Sequence, residues 1–212
     1  MAEFVEVEAN KRSRDSRVLL HGVGVNDAWY MVAKRVKGKH TKCPYYTRWA
    51  SMLKRAYDPK SHDRLPTYRD VTVCEEWHTF SVFKVWMEQQ DWEGKHLDKD
   101  VIKPGNKEYG PEACCFITQE LNKLLLDRAS CRGKEPRGVH QLEVTGRFKA
   151  YCSSKGRVRN LGHYDTAEEA SAAYKKAKSE IVRKAAQEAT CPRVAAGLLD
   201  YVRLILGGGI ND

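Results

Sequence analysis

The sequence predicts an α+β protein built in two parts, and three observations carry that prediction. Residues 96–122, HLDKDVIKPGNKEYGPEACCFITQELN, run as strand, Gly/Pro-punctuated loop, strand and helix. Past residue 138, three short strand patterns (139–142, 147–153 and 157–161) alternate with turn signals at Gly146 and Ser154-Lys155-Gly156. A Thr-x-x-Glu capping box in Asp165-Thr166-Ala167-Glu168-Glu169 then opens a helix. The C-terminal part is therefore expected to be a three-stranded antiparallel sheet packed on one helix. Between the two parts, residues 130–138 (SCRGKEPRG) are polar and rich in breakers, which predicts a linker. Domains are accordingly expected at 1–129 and 130–190, with an amphipathic helix and a flexible tail over 191–212.

Each element has its own reason. Residues 1–17 alternate acidic and apolar and then turn basic, which fits either a strand or an arm. Residues 18–25 (VLLHGVGV) read as a Gly-broken strand ending at Asn26-Asp27. Residues 34–42 read as a basic connector. Pro44 suits a first helical position, and Tyr46, Trp49, Leu53 and Ala56 follow at helical spacing until Asp58-Pro59 ends the run. Residues 71–74 form a strand candidate. Trp77, Phe80, Phe83, Trp86 and Met87 make residues 75–88 one aromatic core helix, with His78 as a capping or surface residue. Thr118 opens the next helix, continued by Leu121, Leu124 and Leu125. On the C-terminal helix, Ala170, Ala173, Tyr174, Ala177 and Ile181 form a stripe small enough for close packing on a sheet. On the middle strand, Phe148, Ala150 and Cys152 alternate with Arg147, Lys149 and Tyr151, so one face meets that helix and the other is cationic with an aromatic on it.

Composition narrows the function. With 212 residues, 42% of them hydrophobic, and five Trp, the chain can build a real core. A net charge of +9 favours nucleic acid or an anionic surface as partner. The seven cysteines (43, 74, 114, 115, 131, 152 and 191) are odd in number and include no CxxC pair. They read as reduced thiols, with no structural zinc expected. No apolar stretch approaches the ~18 residues of a membrane span, and the N-terminus lacks a signal-peptide core. A soluble, cytoplasmic protein with no membrane partner is expected.

The acidic groups of the central stretch suggest chemistry. Asp98 and Asp100 flank Lys99 on the first strand, and Asn122 lies on the helix. Such oxygen donors suit one hard divalent cation.

Two resemblances extend this reading. Arg137-Gly138-Val139, Gly146-Arg147-Phe148-Lys149-Ala150, the run Leu161-Gly162-His163-Tyr164-Asp165-Thr166-Ala167-Glu168-Glu169-Ala170 and then Ala173-Tyr174 stand in register over residues 137–174. The module resembles the plant APETALA2/ethylene-response-factor DNA-binding domain, which also occurs in phage and mobile-element nucleases. The resemblance implies a sheet laid into the DNA major groove, with Arg137, His140, Arg147, Lys149, Tyr151, Arg157, Arg159 and Asn160 as DNA-binding residues. The family's Trp anchors on the first and third strands are missing. If Leu161 faces the helix, alternation puts Arg159 there as well, which calls for a bulge, a snorkelling side chain or a shifted register.

Further upstream, Leu97-Asp98-Lys99-Asp100, Gly105-Asn106-Lys107, Tyr109, Pro111-Glu112 and Cys114, with Val73-Cys74-Glu75-Glu76-Trp77 before them, resemble the HNH-type ββα-metal nucleases, especially a group found in phages, homing-type endonucleases among them. That resemblance covers about residues 20–128. It implies a ββα-metal-like nuclease module acting in the host cytoplasm with one Mg²⁺ or Mn²⁺, with Asp98, Lys99 and Asp100 as catalytic residues and Asp98, Asp100, Asn106 and Asn122 as metal ligands. Lys99 stands where the motif has its water-activating His, and Ala113 falls near the second ligand position. The leading expectation is a metal-dependent DNA endonuclease, a hydrolase of phosphodiester bonds directed by the C-terminal domain. The alternative is a catalytically inactive, HNH-derived DNA-binding protein acting as a regulator or recognition subunit, and RNA binding is a third reading.

Overall fold

The computed structural model describes residues 4–36, 38–126 and 134–207. It is an α+β chain, and backbone contacts divide it into two units: residues 1–99 with 105–116, and residues 100–104 with 117–212. Part of the expected linker, residues 130–133, lies outside the described residues, as does the expected flexible tail from residue 208 onward.

The first unit starts with a short helix, α1 (Lys11–Asp15), capped by the Asn10 side chain, which accepts from the Ser13 N–H at 2.8 Å. The strand expected over 18–25 does not form. Val18 is exposed, and the chain turns back through His21 and Gly22, both at positive φ, so that the Leu20 and Gly24 backbones bond to each other. Arg17 holds the loop that follows by donating to the carbonyls of Asn26, Ala28 and Tyr30. Residues 34–42 are not a connector either. They belong to an antiparallel hairpin, β1 (Ala33–Val36) and β2 (Lys39–Lys42), with Gly38 at φ +78° in its turn.

Helix α2 (Pro44–Tyr57) begins on Pro44 and buries Trp49, Met52, Leu53 and Ala56. It ends at Asp58, from which Pro59 starts α3 (Pro59–Arg64). The single helix expected over 75–88 is split into a 3-10 turn, Glu75–His78, and α4 (Phe80–Glu88). The cause is a distant segment: Val25 donates to the His78 carbonyl and accepts from the Phe80 N–H, which holds Thr79 extended. Asp27 then caps the new helix by accepting from the Ser81 N–H at 2.9 Å. His78 is neither a cap nor a free surface residue, because its Nε2 bonds the Tyr57 hydroxyl at 3.0 Å.

Three strand pieces frame the central stretch. β3 (Thr72–Val73) pairs in parallel with β5 (Glu108–Tyr109), a strand the sequence does not reveal because two residues carry no periodicity. β4 (His96–Asp98) pairs with β6 (Cys115–Ile117). Trp49, Trp77, Phe80, Phe83, Met87 and Tyr109 fill the core between these strands and the helices. The Trp49 indole donates to the Trp77 carbonyl at 2.7 Å.

The second unit holds α5 (Gln119–Leu125), capped by Thr118. Next come β7 (Val139–Gln141), β8 (Phe148–Ser154) and β9 (Arg157–Tyr164), an antiparallel sheet in the order β7-β8-β9. Helices α6 (Ala167–Glu188) and α7 (Pro192–Leu206) follow. Thr166 caps α6 by accepting from the Glu169 N–H, and Glu169 reaches back to the Asp165 N–H, one residue before the cap. Ala170, Tyr174 and Ala177 are buried on α6, as are Val139, Ala150 and Cys152 on the sheet it covers. Gly138 lets the first strand come this close. Its φ is +75°, and a Cβ there would lie 2.2 Å from the Tyr174 ring. Helix α7 packs along α6 and, at Gly197, against the Val101 carbonyl of the 100–104 segment.

The end of α5 is closed by side chains. Carbonyls in a helix's last turn lack helical partners. Here Leu124, Leu125 and Leu126 accept from Lys178 of α6, Tyr201 of α7 and Arg137 respectively. No disulfide forms among the six described cysteines. No helix among the described residues is long and apolar enough to cross a membrane.

Candidate nucleic-acid interface

The strand register assigns every residue of the sheet to a face, because cross-strand partners project to the same side. Buried Ala150 and Cys152 mark the side covered by α6. The opposite side carries His140, Lys149 and His163 in one row, then Tyr151 opposite Asn160, then Ser153 opposite Val158. His140, Tyr151, Asn160 and His163 are exposed, and none of the seven residues is acidic. Lys149 and Tyr151 thus occupy the face that alternation along the middle strand assigned to them, and His140 and Asn160 lie on the same side. Asn160 Oδ1 also accepts from the Gly162 N–H at 3.2 Å.

Four expected DNA contacts are placed otherwise. Between Ala150 and Tyr151 the partners on β9 jump from Gly162 to Asn160, so Leu161 is a bulge residue. Gly162, at φ +128°, takes a backbone conformation that a side chain disfavours. The bulge lies after Arg159 and therefore does not move that residue off the helix side. Arg159 pairs with Cys152 and Arg157 with Ser154, both on that side, yet both arginines remain exposed. Their long stems carry the charge out to water. Arg137 is half-buried, with its guanidinium on the Leu126 carbonyl and the Tyr201 hydroxyl. Arg147 pairs with Asp165 at 2.9 Å and donates to the His163 carbonyl.

The bulge also produces what simple alternation misses. It reverses the parity of β9 beyond Leu161, which turns Gly162 and Tyr164 inward and His163 outward. Val158, 69% exposed, joins the outer face at the other end. The available sequence signal was Gly162 following an apolar strand residue, since an isolated Gly in a strand marks a bulge.

The central stretch is organised by a reciprocal staple. Lys99 is only 7% exposed, and its Nζ donates to the Asn106 carbonyl at 2.6 Å. Asn106 returns the contact, donating from Nδ2 to the Lys99 carbonyl at 3.1 Å and to the Glu108 carbonyl at 2.5 Å. The Asn106 Oδ1 accepts from the Glu108 N–H. The Lys99 ammonium also lies 6.0 Å from the Tyr68 ring centroid. Asp98, half-buried at the end of β4, is close enough to Cys114 to influence it. Burial pushes that thiol up to about 12, the Asp98 carboxylate adds to the rise, and the Lys99 ammonium opposes it.

Two of the positions expected near a metal offer it no side-chain donor. The Asn106 amide is turned to backbone, and Ala113 is buried with no donor to offer. Asp100 is exposed, and Asn122 is half-buried on α5. Among the described residues no three His, Cys, Asp or Glu side chains gather as a metal site. Comparison with protein-family models, with characterised proteins and with solved structures found no match.

Proposed function

We propose that this protein binds double-stranded DNA through the outer face of the β7-β8-β9 sheet. The observation that carries the reading is the composition of that face: exposed His140, His163, Tyr151 and Asn160 around a half-buried Lys149, without a carboxylate, on a chain of net charge +9. Strands can enter a major groove about 12 Å wide and read base edges there. Lys149 supplies a point charge for phosphate, while Tyr151 and Asn160 offer contacts to bases. The test is binding of a labelled duplex by anisotropy as salt is varied. About six phosphate contacts give a salt slope of roughly −5, so affinity should drop on the order of 10³-fold between 50 and 200 mM salt. A flat salt response, or a clear preference for an RNA duplex of equal length, would overturn the reading.

A second reading, metal-dependent cleavage of the bound duplex, is favoured by the order β4, β6, α5 and by Asp98 at the end of its strand. In that reading Asp98 holds a Mg²⁺ or Mn²⁺ ion, which would stabilise charge developing on the phosphodiester. Lys99 acts there only as the pin that shapes the loop. Metal-dependent nicks lost in Asp98→Ala support cleavage. DNA left intact at saturating protein with either ion leaves binding as the function.

A further inference from the structure

The row His140–Lys149–His163 crosses all three strands of the sheet in direct cross-strand register. Both histidines are exposed, and they stand on the two edge strands with the lysine between them. Neighbouring strands lie about 4.8 Å apart, so the row spans about 10 Å, close to the ~12 Å width of a major groove.

We propose that this row is a proton-linked phosphodiester site: the duplex binds with uptake of protons by His140 and His163. The inference rests on the DNA-binding reading above and adds how that binding is regulated.

The physical reason is the charge around each imidazole. In the free protein each histidine faces the Lys149 ammonium directly across a strand pair, and like charges placed opposite one another are unfavourable. The other groups on this face are Tyr151, Ser153, Val158 and Asn160, none of which supplies a negative charge. The nearby carboxylate, Asp165, is taken by Arg147. On its other side the sheet meets α6, with Ala170, Tyr174 and Ala177 buried there. A phosphodiester laid across the row favours the protonated rings, because a negative charge within a few ångströms stabilises an imidazolium. Binding and protonation must then strengthen each other. Imidazoles ordinarily change charge between pH 5 and 8, so the effect falls in the physiological range.

The test is anisotropy with a labelled duplex at fixed ionic strength, at pH 6 and pH 8, on the full chain. The wild type should bind on the order of tenfold or more tightly at pH 6, as two imidazoles that gain an anionic partner require. The double variant His140→Gln/His163→Gln should bind at pH 6 no better than the wild type at pH 8. His96→Gln, a change in the other unit, should keep the full response. Calorimetry at pH 6.5 in two buffers of different ionisation enthalpy should show net proton uptake in the wild type and none in the double variant. Because both side chains are exposed, the double variant should melt as the wild type does. Tight binding that is equal at the two pH values, or a pH response that survives in the double variant, overturns this inference and leaves DNA binding standing. Absence of duplex binding at both pH values overturns the two together.

Discussion

Replacing Lys99 with methionine keeps the reach of the side chain and removes its ammonium. In the wild type that ammonium is buried and donates to the Asn106 carbonyl at 2.6 Å. A hydrogen bond from a charged donor is worth about 1.5–3 kcal/mol net, and the half-buried Asn106 carbonyl left without it adds a part of the ~1–3 kcal/mol that a fully buried one would cost. Relief of the buried charge returns part of this. A loss of about 2 kcal/mol is the expected balance, equal to a fall of roughly 1 M in urea midpoint at an m value near 2 kcal/mol/M. All five tryptophans lie in the first unit, so their fluorescence reports unfolding of the part that contains Lys99. Duplex affinity at protein concentrations where Lys99→Met remains folded should stay within about twofold of wild type. An unchanged midpoint accompanied by a large loss of binding or cleavage would refute the staple and return Lys99 to the ligand.

Other perturbations test different parts of the molecule. Gly138→Ala forces a Cβ against the Tyr174 ring at a positive φ, and should cost about 2–4 kcal/mol in the second unit, seen by far-UV dichroism with the tryptophan signal unchanged. Ser179 is fully buried, and its hydroxyl has no hydrogen-bond partner among the described residues, so Ser179→Ala should raise stability by up to ~1 kcal/mol in a thermal melt. Trp49→Phe deletes the indole donor to the Trp77 carbonyl and should lower the urea midpoint of the first unit by an amount corresponding to about 1–3 kcal/mol. Burial raises Cys74 to about 11 and Cys114 to about 12, and it also raises Tyr30 and Tyr109. These groups stay neutral in the folded state after they have ionised in the unfolded chain. Their contribution is intact below the ordinary thiol range near ~8.5 and is lost as pH rises through the folded values. The first unit's urea midpoint should therefore fall progressively from about pH 9 upward.

The sequence alone determined whatever depends on neighbours close along the chain. Pro44 starting α2, Thr118 capping α5, Thr166 capping α6 and the outward turn of Lys149 and Tyr151 all follow from local stereochemistry and period. Tertiary structure decided whatever a distant segment supplies. Val25 broke the aromatic helix at Thr79, Asn106 occupied Lys99, and the end of α5 drew Arg137 inward, because an unmatched backbone carbonyl or N–H recruits any donor or acceptor that folding brings near. The bulge at Leu161 belongs with these. It depends on how β9 lies against β8, and one extra residue there exchanges the two faces of the strand and completes the row that begins at His140.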